Sequence, residues 1–171
     1  MRSTLLLSLM FLLLACSKTE KEKTTDSSQT TASTKPVSKY PEHVGDIAFD
    51  ATLDDPDFKT CQNIIPQYYA LGADFRVDND VLMSHFESVE INKNQSLTYH
   101  TIRFIVNCKG ETGRYRTETM SGGYQPANLD FAVAENILER LKSFDQWPEG
   151  RDFYQYLTFK IEGGKIEEVL P

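Results

Sequence analysis

The chain has 171 residues, with 18 Lys and Arg against 25 Asp and Glu, a net charge of −7 at pH 7. An acidic chain with no basic stripe argues against nucleic acid as a partner and against electrostatic docking to anionic lipid. The three histidines, His43, His85 and His100, are scattered and show no paired metal-ligand spacing, so no metal and no cofactor is expected.

Arg2 is followed by an apolar run from Leu5 to Leu14. The run is shorter than the ~20 apolar residues a membrane-spanning helix needs, and it fits the core of an export signal. It ends in Leu13-Leu14-Ala15-Cys16, which resembles a lipobox. A small residue precedes the cut, and a thiol follows it to take a diacylglycerol. Residues 1–15 are therefore expected to be a cleaved lipoprotein signal and Cys16 the lipidation site; the alternative is an ordinary signal with an unrelated cysteine. Cleavage would remove one base and no acid, leaving 17 basic against 25 acidic residues, a net charge of −8. The 156 residues that remain suffice for one modest domain. The acyl chains would then do the anchoring.

Residues 16–39 change character. Ser17 to Thr31 holds no large apolar residue, so it cannot bury enough surface to offset its ordering entropy. This stretch reads as a disordered tether spanning on the order of 25–30 Å between its ends. Residues 40–98 read as an N-terminal extension, helical or irregular, packed on the domain that follows. Asp54-Asp55 offers a cap for a short helix carrying Phe58, Cys61 and Ile65 at helical spacing, which Pro66 ends or kinks. Tyr68, Tyr69 and Leu71 continue its apolar surface. Gly72 and Asp78-Asn79-Asp80 are turn signals. Val81 to Val89 fits either helix or strand, and Ile91 to Ser96 is a polar loop.

Residues 99–171 are clearer. Tyr99 to Asn107 alternates, with Ile102, Phe104 and Val106 on one face and Thr101, Arg103 and Ile105 on the other. Cys108 continues the Ile102 face, so its sulfur is expected in the core. Lys109 to Gly113 is a turn into a second strand, Arg114 to Met120. Ser121-Gly122-Gly123 and Pro126 break the pattern. Asn128 or Asp130 caps a helix whose stripe is Val133, Ile137, Leu138, Leu141 and Phe144. After the Trp147-Pro148-Glu149-Gly150 loop, Phe153 to Ile161 alternates again, with Tyr154, Tyr156 and Lys160 turned away from the apolar side. Gly163-Gly164 is a two-residue hairpin turn into a last strand, Lys165 to Leu170. The order strand, strand, helix, strand, strand predicts an α+β fold: one mostly antiparallel sheet covered by a helix.

With Cys16 acylated, Cys61 and Cys108 remain. An even pair in an oxidising compartment reads as one disulfide, with two buried free thiols as the alternative. No catalytic residue is expected. Asp54-Asp55 and Glu167-Glu168 are neighbours that do not converge on one substrate, and they read as solvated surface. No phosphate loop, nucleophile elbow or Cys/His pairing is present. Tyr68, Tyr69, Tyr99, Tyr115, Tyr124, Tyr154 and Tyr156 either line the sheet and its rim or form a glycan-stacking surface.

The stretch from Ile102 to Pro171 resembles the carboxy-terminal domain of TonB-type energy transducers. The matching pieces are Arg103-Phe104-Ile105-Val106-Asn107-Cys108-Lys109-Gly110, the helix around Ile137-Leu138, Trp147-Pro148, and Tyr156-Leu157-Thr158-Phe159-Lys160-Ile161. The resemblance implies a ββαβ(β) domain that binds an extended peptide by strand addition along the closing strand, Phe153 to Ile161; where the tail Lys165 to Leu170 folds back through Gly163-Gly164 onto that edge, a partner has to displace it or use the opposite edge. It nominates Tyr154, Tyr156, Thr158 and Lys160 as partner-binding residues. It also nominates an envelope protein as partner, such as a TonB-dependent outer-membrane receptor. The lipobox and the short tether stand where a true transducer has a transmembrane helix and a Pro-rich spacer. The expected function is thus non-catalytic partner binding in the cell envelope, on the periplasmic side of the outer membrane or at the surface. A cell-wall or glycan-binding lipoprotein, stacking sugars on tyrosines and Trp147, is the alternative.

Overall fold

The computed structural model describes residues 46–171, which belong to one compact unit. The signal, Cys16, the tether and residues 40–45 lie outside the described residues. Four strands form one antiparallel sheet in the order β2-β1-β3-β4: β1 is Thr98–Val106, β2 Thr112–Ser121, β3 Phe153–Glu162 and β4 Lys165–Leu170. Two helices, α1 (Asn79–Phe86) and α2 (Phe131–Ser143), bury their apolar sides in one core with the sheet. The fold is α+β with an open sheet. No described helix is long and apolar enough to cross a membrane.

Side-chain alternation sets which face is buried. Ile102, Phe104 and Val106 of β1 join Phe153, Leu157, Phe159 and Ile161 of β3 beneath the helices. Of α2, Val133, Ile137, Leu138 and Leu141 are buried, and Phe144 follows them just past its end. Asp130 starts α2 by accepting from the amides of Ala132 (2.9 Å) and Val133 (3.4 Å), the capping expected of a short acidic side chain. Asp78 does the same for α1 through the Asp80 amide, and of the ambiguous Val81–Val89 stretch the part up to Phe86 is helix. Gly163 and Gly164, at φ of 60° and 91°, make the β3–β4 turn with the positive dihedrals a tight hairpin requires.

The extension departs from its predicted helix. Residues 46–66 contain only turns and bends. Their aspartates bond locally instead: Asp50 accepts from Thr52 and Asp55 from Asp57, an alternative to helical pairing. Asp54 is no helix cap and no solvated acid. It is buried against Arg116 in a bidentate pair at 2.8 and 3.0 Å. Phe58 lies over Gly113, where a Cβ would come within 2.5 Å of its ring. The extension thereby covers part of the sheet's second face, where Ile47, Ile105 and Tyr154 form a small separate core.

Cys108 also departs from expectation. β1 ends at Val106, and buried Asn107 turns the chain, its side-chain oxygen accepting from the amides of Lys109 and Glu111. Cys108 therefore leaves the core face and sits half-buried, bonded to exposed Cys61 with 6.0 Å between the Cα atoms.

Candidate functional site

The four residues nominated for partner binding lie on β3, which is an inner strand. β1 pairs along its whole length on one side. On the other side β4 covers the second half, from Thr158 opposite Leu170 to Glu162 opposite Lys165. The first half meets the extension: the Tyr154 amide donates to the Pro66 carbonyl at 2.8 Å, and Gln67 forms a parallel bridge to Tyr154. The predicted edge is therefore occupied within the chain.

The side chains differ just as much. Tyr154, expected to face water, is buried beside Ile47 because the extension lies across it. Burial raises its hydroxyl above the ordinary value, with the Asp46 carboxylate adding to the shift. Tyr156 is half-buried, and the Tyr68 ring packs edge-on against it at 5.3 Å. Burial, followed by the hydrogen bond to Tyr156, pushes the Tyr68 hydroxyl up to about 12. The Thr158 hydroxyl bonds that of Thr101 at 3.0 Å. Lys160 lies opposite Tyr99 on one side and Glu168 on the other. The structure thus brings Tyr154 and Tyr156 together under the extension, and leaves Thr158 and Lys160 beside β4.

Trp147 offers no sugar-stacking surface. It is 4% exposed and wedged between Phe104 and Phe144 at 5.2 and 5.0 Å. The tyrosines do not share one face either. Tyr115 and Tyr154 are buried, whereas Tyr124 is 71% exposed and stacks on Tyr99 with the ring planes 3° apart. A cleft of about 620 Å³ opens between the turns at Leu53–Asp55 and Lys109–Gly113 and the end of α2. Its polar groups mix signs, and the Tyr115 hydroxyl is already bonded to Thr112.

Two residues that hold the site together carry no signal in the sequence. Asp152, wholly buried just before β3, accepts from the Gln62 amide at 2.6 Å and the Cys108 amide at 2.8 Å. It thus clamps both sides of the disulfide to the start of the strand. Its carboxylate and the two sulfurs lie within 4.8 Å of one another, but both sulfurs are committed to the S–S bond. Arg116 fixes the extension further along, donating to Asp54 and to the carbonyls of Ala48 and Tyr115. Burial pushes the Asp54 carboxyl up, yet the Arg116 hydrogen bond, the Asp50 amide and the nearby cations outweigh it and hold it below the ordinary value.

Of the two outer strands, β2 is met at its far end by the returning chain: Ser121 donates to Gln125, and Ala127 to Thr119. Among the described residues no backbone hydrogen bond reaches β4 from the side away from β3. No protein-family model, no curated protein and no solved structure matches this chain.

Proposed function

We propose that this chain is a cell-envelope lipoprotein, held by lipid at Cys16, whose TonB-like domain binds an extended segment of an envelope protein by adding it to the outer edge of β4. The observation that supports this is the bare backbone along Lys165–Leu170, a row of donors and acceptors that a partner strand can pair. The same edge is short, charged and bulged opposite Lys160 and Ile161. These features discourage indiscriminate pairing and leave room for a selective one. A TonB-dependent outer-membrane receptor is the partner the resemblance suggests.

Photo-crosslinking in intact envelopes tests the reading. A photoreactive residue at Lys165 or Glu168 should capture a discrete partner, and one at Glu135 on α2 should not. Capture from α2 with none from β4 would move the contact elsewhere. The anchor is tested separately: Cys16→Ala should abolish palmitate labelling and leave an uncleaved or mislocalised precursor.

A glycan-binding reading keeps one observation, the exposed Tyr124 stacked on Tyr99. Loss of peptidoglycan co-sedimentation in Tyr124→Ala, with crosslinking at β4 absent, would favour it instead.

A further inference from the structure

We infer that Ile65 to Tyr68 occupy, within the chain, a second docking site along the first half of β3, from which an incoming extended segment of matching chemistry displaces them. This site is distinct from the β4 edge, and four observations carry it.

The contact is a strand addition in miniature. It consists of one parallel bridge, Gln67 to Tyr154, and one main-chain bond, from the Tyr154 amide to the Pro66 carbonyl. β4 begins to cover β3 only at Thr158. The stretch from Phe153 to Leu157 therefore depends on this short segment for whatever cover it has on that side.

The covering segment is half-embedded: Ile65 to Tyr68 are each half-buried, with Ile65 resting on the small second core and Tyr68 on the main one. The 3-10 turn at Tyr68–Ala70 buries none of its residues fully, and Ile64 and Tyr69, on either side of the segment, are 85% and 60% exposed. Half-buried residues give up less apolar contact on leaving a strand edge than core residues do.

Its ends are unequal. Upstream it is pinned by the Cys61–Cys108 disulfide and by the Gln62 amide on Asp152. Downstream lies Gly72, at φ 85° with nothing within 4 Å of the place a Cβ would take. Gly72 is the freest backbone position there, with Leu71 and Phe75 resting on the main core on either side of it, while the disulfide keeps the segment close.

The floor of the site specifies what it takes. The Tyr154 amide needs a carbonyl, and the Tyr156 ring needs an aromatic side chain two residues further on, as Pro66 and Tyr68 supply them. The partner is thus an extended segment running parallel to β3 with an aromatic residue at that spacing. Backbone bonding gives the affinity, and the ring sets the register.

The test uses the full oxidised chain in detergent, with a fluorescent peptide of the sequence of residues 63–71 as probe. Tyr68→Ala removes the edge-on ring pair. It should speed exchange of the Tyr154 amide and tighten peptide binding by about 2- to 12-fold each. Amides of Ile102 and Phe104 in β1 should stay slow. A peptide with Ala in place of its Tyr68 should lose the gain. Faster exchange without tighter binding would show that the segment is only a structural tie, and unchanged exchange would show that it does not guard the edge. Should Tyr68→Ala fail to fold, the unaltered chain answers: the peptide with a photoreactive group at its Tyr68 position must label β3 at Tyr156, and labelling elsewhere or nowhere overturns the inference. Crosslinking at β4 is read independently of all these outcomes, so the two proposals fail separately.

Discussion

With Arg116 replaced by Met, the Asp54 carboxylate would remain enclosed without its bidentate partner, with only the field of Arg114 to offset its charge. Breaking one side of a buried pair in this way costs about 3–5 kcal/mol, whereas replacing both partners by apolar groups costs far less. Urea unfolding should therefore show a large loss for Arg116→Met and a partial recovery in the Arg116→Met, Asp54→Leu double variant. The two residues are 62 apart in the chain, so nothing local distinguishes Asp54 from a helix cap. This is why the sequence alone misassigns it. His100 supplies a second prediction. It is 3% exposed, shares a hydrogen bond with the Thr119 hydroxyl, and is pushed down to about 4 by loss of hydration. The folded state therefore keeps it neutral while the unfolded chain takes up a proton below about 6.5. Stability should be full above that pH and fall as pH drops toward 4, where the loss levels off. His100→Leu should flatten the decline between those limits. The Asp54 contribution is lost only at lower pH, below the ordinary carboxylate value. Unfolding midpoints measured across pH would separate the two residues.

β1, β3 and α2 were legible because each repeats a pattern over nine or more residues. A period of two or of 3.6 over that length leaves little ambiguity. The dry face of β3 follows from it: Leu157 is wholly buried. Leu157→Asp should accordingly abolish the cooperative unfolding transition, since a charge would lose its water with no partner. The extension was not legible, because distant residues hold it in place of a repeat of its own. Lys59 accepts from the Asn107 side chain, Phe58 rests on Gly113, and Cys61 is tied to Cys108. Its apolar spacing mimicked a helix while its aspartates made turns. The same dependence makes the disulfide valuable: it closes a loop of sequence separation 47. By chain entropy, Cys61→Ser with Cys108→Ser should lower stability by about 4 kcal/mol. Thiol labelling of the unreduced protein at both cysteines would contradict the pairing.

At the scale of the whole molecule, the predicted binding strand proved to be interior, because the glycine hairpin and the extension each bring chain back against it. Sequence periodicity shows which residues form strands but carries little about which strand ends up outermost, since that depends on turns and long-range ties. Sheet order is thus what moves the proposed contact from β3 to β4. The edge of β4 has a further consequence for how copies of this molecule behave together. Glu167 and Glu168 are adjacent in its middle, with Lys165 at one end and Leu170 at the other. If two copies zipped together antiparallel over all six residues, each Glu167 would face the Glu168 of the other copy, and the clash would occur twice. Like charges set directly opposite oppose such a ladder. On the proposed lipid anchor, copies crowded in one plane would meet this edge constantly, and the charge arrangement would oppose their fusing into a continuous sheet.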